Sequence, residues 1–305
     1  MICPMVWRWR LAIATFMVVT GNFLVASQAF ADKALDDLCA ASFSREDAAE
    51  LLKTPTQKAA YEAIIANDTP AALRVLPLLG DVNFITPDIT PILSWAVSNR
   101  NFELVSRLLE AGADPNRTDC LGWPPLMFLA NDSRVPGVES ATRELKIADL
   151  LLAHGAKLTE KNGPRWNNHP LALAARTGNV EIIRWLVTHG VPVNQEYDGF
   201  TPLMQTALFN KIEAAKTLLS AGADVNAGDP KLKLNSALML AIDTGDPAFV
   251  KLLIAHGANV NERRSLGSPL EHARGLRFLK SHESAVQHQR DDEIIESLIS
   301  AGAKE

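Results

Sequence analysis

The amino-acid sequence predicts an all-α repeat solenoid: a stack of helix-turn-helix units joined by β-hairpin fingers. Three observations carry the prediction. Helical segments closed by a glycine recur, at Gly80, Gly112, Gly155, Gly190, Gly222, Gly257 and Gly302, with intervals of 32, 43, 35, 32, 35 and 45 residues. Short polar breaks, such as Arg176 to Asn179 and Asp243 to Pro247, split the intervals into two helices. Turn-forming segments GADPN, GVPVN, GADVN and GANVN follow four of the glycines, where Asn and its polar neighbours favour an extended finger.

The elements follow in order. The pairs Thr90-Pro91, Thr201-Pro202 and Ser268-Pro269 open first helices. A hydroxyl caps free amides there, and proline fills the first turn, where no helical hydrogen bond is lost. Second helices carry Leu-Leu pairs at helical spacing, and the glycine after them suits a left-handed stop. Trp95 and Trp185, inside such apolar runs, read as core. The two long intervals imply insertions, at residues 131–143 and 275–291, between the first and second helices of their units. Loop expansion accounts for them at small entropic cost, and a partner-binding role is the alternative.

This pattern resembles the ankyrin-repeat family. Asp198 to Asn226, DGFTPLMQTALFNKIEAAKTLLSAGADVN, is similar to its consensus almost end to end. The resemblance covers residues 57–305, about seven units, and residues 32–56 read as an N-terminal capping half-repeat with a polar outer face. Departures are visible. The histidine of the family's TPLH becomes Met127, Met204 and Met239, so those helix entries are expected to rest on packing. The first unit has no Thr-Pro at the expected place, and its GDVN is one residue short.

Two arginines, an apolar run from Leu11 and the triplet Ala29-Phe30-Ala31 make residues 1–31 a secretory signal peptide, cleaved after Ala31. The expected location is therefore periplasmic or secreted, that of an exported, bacterial-type protein. The alternative is a membrane anchor, since the 21 residues Leu11 to Ala31 carry no charge. The net charge is −5; without the two arginines of that segment, 28 basic residues face 35 acidic ones and the charge is −7. Nucleic acid, whose phosphates demand a basic footprint, is not an expected partner.

Chemistry is sparse. Cys3, Cys39 and Cys120 exclude a disulfide-dense scaffold or a multi-cysteine zinc site. Cys39 in the cap and Cys120 on a finger two or more layers away exceed the roughly 7 Å a disulfide spans, so they are not expected to pair. His154, His189 and His256 recur before closing glycines, where a histidine complements the helix dipole and caps carbonyls. His282, Glu283 and His288 fit no closed metal site. Asp291, Asp292 and Glu293 read as the acidic start of the last helix. No GxSxG, P-loop or HExxH motif occurs.

The expectation is thus a non-enzyme that needs no cofactor, metal or small-molecule substrate, and that meets a membrane only if its N-terminal segment is uncleaved. The resemblance implies a protein partner on a concave face lined by first helices and fingers. Carried over by position, that face comprises Cys120, Leu121, Trp123, Asn131, Arg176, Thr177, Tyr197, Asp198, Phe200, Leu208 and Phe209. Trp123 and Phe200 have a second reading, sealing neighbouring fingers. An enzyme accessory or inhibitor, or a secreted effector acting on a host protein, are the alternatives for the whole chain.

Overall fold

The structure, a computed structural model, describes residues 52–87, 90–120, 122–131, 138–159, 169–196, 199–228, 236–263, 267–279 and 285–304. Residues 1–31, read as a signal segment, nearly all of residues 32–56, read as a cap, and Cys39, His282 and Glu283 lie outside them. Fourteen α-helices run through the described residues in consecutive pairs. They are α1 (Pro55–Ile65) and α2 (Thr69–Val75), α3 (Ile92–Ser98) and α4 (Phe102–Glu110), α5 (Pro125–Ala130) and α6 (Val138–Ala153), and α7 (Pro170–Thr177) and α8 (Val180–Thr188). There follow α9 (Pro202–Leu208) and α10 (Ile212–Ser220), α11 (Ala237–Thr244) and α12 (Pro247–Ala255), and α13 (Pro269–Leu279) and α14 (Ala285–Ser300). Among the described residues, no helix is long and apolar enough to cross a membrane.

The same local chemistry starts and stops the elements. Thr201 and Ser236 open α9 and α11 by accepting the amides of Met204 and Met239. Asn101, Asn179 and Asp246 do so for the second helices α4, α8 and α12. Six second helices end alike: the residue after the closing glycine donates its amide five positions back in a Schellman turn, as Ala113 does to Leu108, Val191 to Leu186 and Ala258 to Leu253. The glycines hold φ near +90°, and the donating residues Ala113, Ala156, Val191 and Ala258 are buried.

The described residues form two compact blocks: those up to Leu126 with 149–156, and those of 127–148 with those from Lys157 onward. In the first, α1 packs on α2 and α3, and α4 packs on α2 and α3. In the second, the first helices α7, α9, α11 and α13 pack consecutively, while α8 meets α10 and α12 meets α14 behind them. The core is apolar and mostly aliphatic, and follows this order: Ile182, Leu186, Leu203, Leu218, Leu238, Phe249, Leu253 and Leu298 are all buried.

Several sequence expectations are corrected. The first pair does open on Thr-Pro: Thr54 and Gln57 form a reciprocal capping box ahead of Pro55, two residues before the expected start of the array. Met204 is more than packing, because its Sδ accepts the Thr201 amide at 3.3 Å where a histidine would. Among the described residues the fingers show turns and no β-strand; an isolated antiparallel bridge, Ile85 to Pro91, closes one of them. Trp185 is core, but Trp95 is half-buried.

Both insertions contribute helix in place of open loop. The described part of the first, from Val138, belongs to α6, and the second lengthens both α13 and α14. Asp291, Asp292 and Glu293 therefore sit inside α14, which starts at Ala285, and do not offset its N-terminal dipole. Asp291 is buried, Asp292 accepts from Arg277 Nε at 2.9 Å, and Glu293 pairs with Lys251 of α12.

Candidate binding face

The fingers are tied by asparagine. Asn83 donates its amide to the Gly112 carbonyl at 3.0 Å and accepts the Asp114 N–H at 2.7 Å, although its finger is a residue short. Asn194 does the same with Gly222 and Asp224, Asn226 with Gly257 and Asn259, and Asn261 with Gly302 and Lys304. Asn116 donates to Gly155 at 2.9 Å. Asn83, Asn194, Asn226 and Asn261 thus hold both the carbonyl and an amide of the next closing turn, and Asn116 its carbonyl, which fixes one finger against the following repeat.

A second set of ties joins first helices. Asn99, following α3, donates to the Ile64 carbonyl of α1 at 2.7 Å, and Thr177, ending α7, donates to the Ala130 carbonyl of α5 at 2.7 Å. Thr177 is buried and its hydroxyl is also within reach of Leu173. It therefore belongs to the scaffold and not to an open face. Arg176 is likewise buried, at 5% exposure, and Leu208 at 7%, so neither presents itself to a partner. The neighbouring repeat covers them, which a position within one repeat does not reveal.

Phe209 occupies the place that Asn99 and Thr177 hold in their repeats, directly after its first helix. An aromatic ring cannot make that tie, and it stays 37% exposed. The Arg176 guanidinium lies over it, 5.9 Å from the ring centroid, within cation–π range. These two are the members of the expected set that the second block brings together. Phe200 and Asn131 are half-buried, and Leu121, Tyr197 and Asp198 lie outside the described residues.

In the first block, the finger Asp119 to Trp123 is a closed turn. The Asp119 carboxylate accepts the Trp123 amide at 2.7 Å, the Asp119 amide donates to the Trp123 carbonyl at 3.1 Å, and Gly122 takes φ 76°. Cys120 and Trp123 are half-exposed on it. Pro124 and Pro125 then lead into α5, as a Thr-Pro pair would.

Three histidines or acids escaped the sequence reading. His169 stands at the N-cap of α7 but gives the helix no cap hydrogen bond; it is fully buried, and desolvation lowers its pKa to about 4. The signal was His169-Pro170 in the place of Thr-Pro. His272 of α13 meets Asp243 of α11, Nε2 to Oδ1, at 2.6 Å. The expected role of the repeated histidines is visible at two of them: His189 Nδ1 lies 2.8 Å from the Trp185 carbonyl, and His256 Nδ1 lies 2.8 Å from that of Leu252. Among the described residues, no group of three or more His, Cys, Asp or Glu side chains is placed to hold a metal ion.

Family comparisons agree with this architecture. A model described as ankyrin repeats in three copies matches residues 138–229, and a single-repeat ankyrin model matches residues 88–120 and 233–265, together just over half of the chain. The ankyrin repeat and KH domain-containing protein mask of Drosophila melanogaster is 37% identical over 105 residues, 34% of this chain and 3% of that protein. A putative ankyrin repeat-containing protein of Treponema pallidum is 36% identical over 99 residues, 32% of this chain and 33% of that one. The chain thus spans a third or less of these relatives. The crystal structure of the human ASB11 ankyrin repeat domain superposes with a TM-score of 0.64 at 22% identity, covering 83% of this chain and 99% of that one. Taken with the seven Gly-closed helix pairs and their asparagine ties, these matches place the chain in the ankyrin-repeat family, whose repeats are protein-protein interaction modules.

Proposed function

We propose that this chain is a non-catalytic binding module of an extracytoplasmic compartment, capturing a protein partner on the inner face formed by first helices and fingers. Phe209 carries the reading. It is an exposed aromatic at a position where two other repeats place a polar residue tied to the preceding helix, and it is backed by a buried guanidinium. Aromatic and arginine side chains dominate the energetics of interface centres, and a scaffold fixed by backbone-directed ties loses little conformational entropy on binding. The Trp123 finger supplies a second anchor in the first block. The leader-like N-terminal segment supports the compartment.

Crosslinking in vivo from the wild-type chain, with mass spectrometry of the captured species, identifies the partner. Replacing Trp123 and Phe209 together by Ala is expected to weaken its capture at least tenfold, about 1.4 kcal/mol or more, with the thermal midpoint unchanged. Capture at wild-type strength by the double variant shows that another surface binds.

A further inference from the structure

The turn Phe209-Asn210-Lys211, between α9 and α10, departs from its counterparts twice. Phe209 stands where Asn99 and Thr177 donate to the preceding first helix. Lys211 stands where other second helices are capped: Asp68, Asn101, Asn179 and Asp246 accept a first-turn amide of α2, α4, α8 and α12, whereas Lys211 gives α10 no side-chain cap. Asn101 and Asn179 also reach back to the preceding pair, to Thr69 Oγ1 at 2.6 Å and to the Leu129 carbonyl at 3.2 Å. The Lys211 ammonium makes no hydrogen bond or ion pair among the described residues.

Both departures converge on one place. The Lys211 stem lies along Gly178, where an added Cβ would stand 3.0 Å from Cδ and 3.4 Å from Cγ. Two residues before Gly178 is Arg176, whose guanidinium lies 5.9 Å from the Phe209 ring centroid. Phe209 is 37% exposed and Lys211 half-buried. The carboxylates of the adjoining segments are engaged: Glu181 with Arg184 at 3.4 Å, Glu213 with Lys216 at 2.8 Å, and Asp243 with His272 at 2.6 Å. Asp246 accepts from Asn210 Nδ2 and from the Ala248 amide, each at 2.9 Å. Counted against the two cations Arg176 and Lys211, it leaves the turn with one positive charge in excess.

We infer that this turn selects a partner segment in which an Asp or Glu side chain adjoins an aromatic or aliphatic one. The inference rests on the reading of Phe209 as a partner anchor and adds the charge that accompanies it. The apolar side chain packs on the exposed part of the ring, and the carboxylate accepts from Lys211 Nζ, in the field of the Arg176 guanidinium behind the ring. A basic segment is disfavoured, because it sets like charges against Lys211 and Arg176.

Random linear peptides displayed on phage as N-terminal fusions, panned on the full chain, test this. Sequences that bind the wild-type chain and not Phe209→Ala are expected to pair Asp or Glu with an apolar neighbour. Lys211→Arg should keep their affinity, Lys211→Gln should lower it about tenfold and Lys211→Glu further, with thermal midpoints unchanged. Lys211→Glu, panned in its turn, should select Lys or Arg in place of the carboxylate. Phe209-dependent sequences without a carboxylate overturn the inference and leave the Phe209 face standing. So do carboxylate-bearing sequences that Lys211→Gln binds as tightly as the wild type does. Sequences indifferent to Phe209→Ala, or no enrichment at all, overturn both.

Discussion

His169 is buried without charge in the position where other repeats place a capping hydroxyl. Its pKa falls from 6.5 to about 4 because burial penalises the imidazolium. Above pH 6.5 neither the folded nor the unfolded chain protonates it, and it imposes no penalty. As pH falls from 6.5 towards 4 the unfolded chain takes up the proton first, so stability drops, by about 3 kcal/mol once pH is below both values. Urea midpoints at pH 7 and 4.5 should therefore differ more for the wild type than for His169→Thr, and this variant should also gain about 1 kcal/mol at pH 7 from a restored cap. An identical pH response in the two proteins would assign the acid sensitivity elsewhere. Gly178 makes a second residue-scale case. It takes φ 84° between α7 and α8, and an added Cβ would stand 3.0 Å from Lys211 Cδ. Gly178→Ala should cost about 1–2 kcal/mol in urea unfolding, chiefly from the left-handed backbone. That glycine was legible in the sequence as part of a polar break. The burial of Arg176, Thr177 and Leu208 was not, because it depends on which side chain the next repeat lays over them.

At the scale of elements, the repeats were legible because each boundary has its own chemical mark: a hydroxyl or Pro at the start, a glycine at the stop and an asparagine in the finger. The insertion before α14 lacked such a mark. Its described residues from Ala285 to Arg290 include good helix formers and no glycine or proline, so they start the helix six residues ahead of the acidic run that looked like its start. The asparagine ties make a sharper prediction. At one step of the stack both halves of the tie are missing from the sequence: Thr159 stands where Asn116 and Asn226 do, and Pro192, which has no N–H, stands where Asp114 and Asp224 do. Thr159→Asn alone can recover one hydrogen bond, to the Gly190 carbonyl. With Pro192→Asp it can recover two. The double variant should raise the unfolding free energy by about 1–2 kcal/mol, less the small gain in unfolded-state entropy from losing proline, and by more than the sum of the single changes. Strict additivity in that cycle would show that the two residues do not face each other as their counterparts do. Conversely, Asn226→Ala should cost about 1–2 kcal/mol and speed amide exchange at Asn259, whose N–H it accepts at 2.8 Å.

For the whole molecule, the proposed compartment rests on the leader-like N-terminal segment. The acidic remainder, with 28 basic and 35 acidic residues, argues against phosphate polymers. Export makes the last prediction. Ala29-Phe30-Ala31 provides a small-x-small cleavage site after an apolar run, so the chain purified from its own cells should have an intact mass beginning at Asp32, having lost Cys3, Arg8 and Arg10. It should fractionate outside the cytoplasm. A mass that retains the first 31 residues, with protein extracted only by detergent, would replace export by anchoring, because the 21 uncharged residues from Leu11 suffice for one span. Either result leaves two cysteines, Cys39 and Cys120, in the chain beyond Ala31. If they stay unpaired, as the reading of residues 32–56 as a cap expects, alkylation of the denatured, non-reduced monomer should add two label masses, whereas an intramolecular bridge would block both and overturn the expected placement of Cys39 in a cap remote from the Cys120 finger.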